Sequence, residues 1–112
     1  MRILFDHGTP APLRRILSNR EVATAYELGW AELANGALLS AAEAEFDALI
    51  TTDQSLRYQQ NLVDRKLAIL VLPTTSWPRI QAHIEQIMVA VDALSPGDFV
   101  ELRFARDTDL PE

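Results

Sequence analysis

The chain has 112 residues and a mass of 12.5 kDa, and its 48% hydrophobic and 23% charged residues describe one globular domain, neither disordered nor membrane-spanning. The absence of cysteine excludes disulfides, thiolate nucleophiles, zinc ribbons and iron–sulfur clusters. With 16 acidic against 10 basic residues and a net charge of −6, the chain is a poor sequestering binder of nucleic acid, yet the balance suits a metal-dependent nuclease, whose acidic site recruits the cation that meets the phosphate.

Arg2 to Phe5 is a short apolar run that ends at Asp6 and turn-forming Gly8 and Pro10, and it reads as a buried strand. The charges at Arg2 and Asp6 interrupt what would be the apolar stretch of an export signal, so a cytoplasmic location is expected. Pro12 to Asn19 spaces Leu13, Ile16 and Leu17 as a helix, and Glu21 to Ala25 is a weak second strand. Tyr26 to Gly36 reads as an irregular connection broken by Gly29 and Asn35-Gly36, and Ala37 to Phe46 has a strong helix-former composition. Ala48 to Thr51 is a third strand, after which Asp53 is placed to cap a helix running through Leu56, Gln60 and Val63.

Leu67 to Leu72 is apolar at every position, the pattern of a strand covered on both faces in a parallel sheet. Ser76 and Pro78 open a helix whose apolar face (Ile80, Ile84, Ile87, Met88, Val91) continues to Leu94. Phe99 to Phe104 is a last strand at an edge, and residues 106–112 are a polar tail to a domain spanning 1–105. Strand and helix alternate with short loops, so the expected architecture is a three-layer α/β sandwich with a mostly parallel central sheet.

Open parallel sheets bind ligands beyond the carboxyl ends of their strands. Asp6 and Asp53 fall there, after the first and third strands, where a hard cation such as Mg²⁺ takes one or two protein carboxylates and keeps several waters. An Asp in such a place also caps helices, and both roles are open for Asp53. A phosphoacceptor receiver domain would place Asp53 and Thr74 or Thr75 similarly. It needs a lysine after its fifth strand and paired acids after its first; the only lysine, Lys66, precedes the fourth strand, and Asp6 is followed by His7. That reading fails.

Leu4-Phe5-Asp6-His7-Gly8-Thr9-Pro10 resembles the "LLDENLP" opening of small PIN-like domains, relatives of PIN-domain ribonucleases and of toxins from toxin–antitoxin pairs. Ala48-Leu49-Ile50-Thr51-Thr52-Asp53-Gln54-Ser55-Leu56 is similar to their "vLiTxDxDF" segment. Between these, Glu27-Leu28-Gly29-Trp30 and Asn35-Gly36-Ala37-Leu38-Leu39 resemble the stretch that begins the central helix. The likeness covers residues 2–75 in order and spacing.

The resemblance implies a PIN-like fold, Mg²⁺ or Mn²⁺ as cofactor, an RNA substrate, and a cognate antitoxin as partner. Asp6 and Asp53 match family acids and would be the metal ligands, with Asn35 beside them in the catalytic set where the family has an aspartate. Ser55 stands where many members have a second aspartate, and His7 replaces an acid. These three neutral replacements remove charge that would hold cations and keep a second reading open, a non-catalytic interaction module with a degenerate metal site.

His7 beside Asp6, and Arg57 one helical turn past Asp53, are the candidate substrate contacts, with Arg14 and Arg15 as a basic rim. Glu43 or Glu45 is a candidate to make good the lost acids, and their spacing lets only one face the site. Trp30 and Trp77 read as plugs over a small core rather than as base-stacking platforms. The exposed edge strand invites pairing with a second copy of the chain, so a homodimer is expected.

Overall fold

Short apolar runs without alternation become strands covered on both faces. In the computed structural model, which describes residues 1–17, 19–56, 62 and 64–104, this is the character of β1 (Arg2–Phe5), β3 (Ala48–Thr51) and β4 (Ala68–Val71), buried at every position except Arg2. β2 (Glu21–Thr24) and β5 (Phe99–Glu101) are only partly covered. The reason is their place in a five-stranded, all-parallel sheet of order β2-β1-β3-β4-β5, where they form the two edges.

Alternate side chains of the central strands enter opposite cores. Ile3, Phe5, Ala48, Ile50, Ala68 and Leu70 pack on one face beneath Leu13 of α1 (Leu13–Ile16), Ile80 of α3 (Trp77–Ala82) and Ile87 and Val91 of α4 (Ile84–Asp92). Leu4, Leu49, Ile69 and Val71 pack on the other face against Leu38, Leu39 and Ala42 of α2 (Asn35–Glu45). Helices thus lie on both sides of the sheet, as the alternation of elements predicts. Among the described residues no helix is long and apolar enough to cross a membrane.

Four boundaries depart from the sequence reading. The first helix is shorter than Pro12 to Asn19 and covers Leu13–Ile16. α2 begins at Asn35, so Asn35 and Gly36 form its first turn instead of breaking the chain, with the Leu38 N–H donating to Ala34 O at 2.8 Å. The first amides of a helix have no partner within it, and the first turn accepts residues that weaken an interior. The helix expected from Ser76 to Leu94 is interrupted at His83, whose backbone (φ −120°, ψ 28°) leaves helical geometry while its ring stacks on Phe104 at 4.3 Å. The last strand ends at Glu101, and Phe104 turns into the first core.

Both tryptophans pack against the cores, Trp30 edge-on to Phe46 at 6.2 Å between ring centres. Beyond Leu56, most of the helix expected through Val63 lies outside the described residues, as does the polar tail.

Candidate functional site

β2 lies on one side of β1 and β3 on the other, so the chain reverses its direction of winding between β1 and β3. The crevice beyond the carboxyl ends of strands at such a reversal is the usual ligand position in open parallel sheets. Asp6 and Asp53 both stand there. The Asp6 N–H donates to Ile50 O at 3.0 Å, which carries the β1–β3 ladder one residue past the strand and places the Asp6 carboxylate beside Thr51.

Thr51, the last residue of β3 and 1% exposed, joins the two acids. Its hydroxyl donates to Asp6 Oδ2 at 2.9 Å and accepts the Asp53 N–H at 3.1 Å. Asn35, at the start of α2, donates its Nδ2 to Asp53 Oδ2 at 3.1 Å. One chain of hydrogen bonds, Asp6–Thr51–Asp53–Asn35, therefore gathers the ends of β1 and β3 and the start of α2. Sequence reading did not single out Thr51. The available signal was a hydroxyl at the last position of an otherwise apolar run.

The other carboxylate oxygens are also engaged. Asp6 Oδ1 accepts the His7 N–H at 2.7 Å and has the exposed His7 Nδ1 at 3.3 Å. Asp53 Oδ1 accepts the Ser55 N–H at 3.0 Å and the Ser55 hydroxyl at 2.9 Å, so Ser55, where an acid was expected from the resemblance, holds Asp53 in place. Burial acts to raise the Asp53 pKa, but the Ser55 N–H, the Ser55 hydroxyl and the Asn35 amide outweigh it and keep the carboxyl below its ordinary value. Asp53 closes a local turn with one oxygen and meets Asn35 with the other, so its turn-forming role and its place in the crevice coexist.

The loops that carry these groups are braced against each other. A Cβ on Gly8 would lie 2.4 Å from Thr52 Oγ1, so only the bare backbone of glycine passes this point without displacing the Thr52 side chain. Thr9 donates its hydroxyl to Ile50 O at 2.9 Å, and Gln54 donates its amide to Thr52 O and Leu72 O.

Other candidates lie elsewhere. Glu43 is at the far end of α2, bonded to Arg65 at 3.0 Å and to the Lys66 N–H at 2.7 Å, and so does not reinforce the site; Glu45 stands at that same end. Arg14 is ion-paired with Glu27 at 2.7 Å, which neutralises it as part of a basic rim. Arg57 lies outside the described residues. Among the described residues no arginine or lysine pairs with Asp6 or Asp53, and no group of three or more His, Cys, Asp or Glu side chains gathers at one point. The donor set is thus two carboxylates beside an amide. All are hard oxygen donors of the kind Mg²⁺ and Mn²⁺ take, and two carboxylates suffice for an ion that keeps its waters.

The chain matches no family model, no curated protein and no solved structure.

Proposed function

We propose that the chain is a PIN-like domain that hydrolyses phosphodiester bonds of RNA with Mg²⁺ or Mn²⁺ held between Asp6 and Asp53. The observation that carries this reading is two carboxylates at the winding reversal, bridged by one threonine and, among the described residues, unpaired with any arginine or lysine. Carboxylates that no described arginine or lysine pairs with favour a cation from solution.

Bound there, the ion would supply a nucleophilic water and neutralise phosphoryl charge. Asp6 and Asp53 would hold it. Thr51 and Ser55 orient the two carboxylates, and Asn35 fixes the rotamer of Asp53 while bringing no charge of its own. His7, exposed at the mouth, is placed to hydrogen-bond a substrate phosphate, and Arg57, four residues past Asp53, is the second proposed contact. In the role of a toxin the chain would meet its antitoxin, or a second copy of itself, along β5, beyond which no further strand is paired among the described residues.

A second reading, a non-catalytic interaction module, is favoured by one observation: every carboxylate oxygen of the pair already accepts a hydrogen bond from a neutral group. Calorimetric titration with Mn²⁺, run beside cleavage of a single-stranded RNA, separates the two. Saturable Mn²⁺ binding with metal-dependent cleavage supports the nuclease. A chain that takes up no ion at several millimolar and leaves the RNA intact is the interaction module.

A further inference from the structure

Beside the crevice, on the β2 side, lies a hollow of about 350 Å³ lined by Asp6, His7, Thr9, Ala11, Thr24 and Tyr26. Tyr26 is 80% exposed, the most exposed large hydrophobic side chain among the described residues. It differs in this from Trp30 and Trp77, which both pack against the cores.

The backbone that carries the uncovered ring is tightly held. The Thr24 N–H donates to Glu27 Oε1 and the Glu27 N–H to Thr24 Oγ1, each at 3.0 Å, and Arg14 anchors Glu27 at 2.7 Å. The Gly29 N–H reaches Tyr26 O at 3.1 Å, and the Trp30 N–H reaches Ala25 O at 2.8 Å. A rigid turn bearing an aromatic ring in water offers contact area at small ordering cost.

The chemistry of the walls narrows the occupant. The Thr9 hydroxyl spends its one proton on Ile50 O, and the Thr24 hydroxyl accepts the Glu27 N–H while keeping its own proton, so the two walls offer at most one hydroxyl donor to an occupant. The Asp6 carboxylate at the border repels an anion. A flat, neutral ring fits these conditions, while a phosphate is left at the solvent-exposed rim where His7 stands. We infer that this hollow holds the nucleobase next to the scissile phosphate of a single-stranded RNA, stacked on the ring of Tyr26, an inference that rests on the ribonuclease reading above.

The test uses probes with no phosphodiester to cut. AMP and ribose 5-phosphate are titrated into the full chain with Mg²⁺ present, and the Tyr26 ring and His7 resonances are followed by NMR. AMP is expected to shift the Tyr26 ring protons and ribose 5-phosphate only His7. Tyr26→Ala, at an exposed position that does not endanger folding, should weaken AMP about fivefold or more, and Tyr26→Phe should keep it within about twofold. Equal shifts from both probes, or AMP binding unchanged in Tyr26→Ala, would overturn the stacking site. Cleavage of an oligoadenylate by the unmodified chain is read separately. Cleavage with no Tyr26 effect leaves the nuclease and removes the hollow, whereas AMP stacking without any cleavage leaves a nucleotide site and removes the hydrolysis.

Discussion

The two ends of the parallel sheet both carry carboxylates, but in different company. At the amino end Glu43 faces the Arg65 guanidinium at 3.0 Å and Glu21 has Arg2 at 3.6 Å, while Asp92 is bonded to Arg20. At the carboxyl end Asp6 and Asp53 meet a threonine hydroxyl, a serine, an amide and backbone N–H groups, with the exposed His7 ring at 3.3 Å. Hydrogen bonds orient a carboxylate in both places, but Glu43, Glu21 and Asp92, like Glu27 with Arg14 at the carboxyl end, have their charge met by an arginine, while among the described residues Asp6 and Asp53 meet no arginine or lysine. The first arrangement holds a fold together, and the second leaves an oriented negative field facing solvent. The same residue type therefore serves structure where an arginine meets it, as at Glu43 and Glu27, and stays oriented without a described arginine or lysine partner at Asp6 and Asp53.

The hardest test of this contrast is Asp6→Asn. It removes one charge, and with the amide oxygen accepting the His7 N–H its NH₂ faces the buried Thr51 hydroxyl, which loses its acceptor, so unfolding free energy should fall by about 1–3 kcal/mol with the fold kept. Mn²⁺ binding and RNA cleavage should fall by more than about 100-fold, since even neighbours of metal ligands are worth 10- to 100-fold. Calorimetry and a cleavage time course measure both, and undiminished cleavage would erase the distinction between the rims. Thr51→Val comes next. It deprives Asp6 Oδ2 of a donor and the Asp53 N–H of an acceptor in a buried place, which should cost about 1–3 kcal/mol in urea unfolding and loosen Mn²⁺ by roughly tenfold. Thr51→Ser, which keeps the hydroxyl, should restore most of the Mn²⁺ affinity.

The central strands were legible because burial on both faces writes an unbroken apolar run, as at Ala68–Val71. The place of Asp6 and Asp53 was legible through the rule for strand ends, but their bridge was not. Thr51 is a good strand former in its own right, and nothing local to it announces that its hydroxyl links two loops. The break at His83 was hidden for another reason. The spacing of Ile80, Ile84 and Ile87 runs straight through it, and the ring that holds His83 belongs to Phe104, beyond β5. Glu43 presents the same difficulty, because its partners, Arg65 and Lys66, lie across β3 in the chain and its helical position said only that at most one of Glu43 and Glu45 faces the site.

The mildest change sharpens the contrast from the structural side. Glu43 is held below its ordinary pKa first by the Lys66 N–H and then, against the opposing pull of burial, by the Arg65 side chain. A depressed acid stabilises the fold above its unfolded pKa, near 4.5, and that contribution disappears as pH falls through the lower folded value. Because both partners are partly solvated, Glu43→Gln should cost less than about 1 kcal/mol at pH 7. Urea midpoints of the two chains should then converge as pH drops below the carboxylate range, where the glutamate is itself neutral. At pH 7 the Mn²⁺ affinity of Glu43→Gln should equal that of the unmodified chain, because α2 separates Glu43 from the crevice by more than two helical turns. A midpoint difference that persists in acid would show that Glu43 acts through packing rather than charge. A weakened Mn²⁺ isotherm would show that the two rims are coupled through α2, with Asn35 as the nearest route to Asp53.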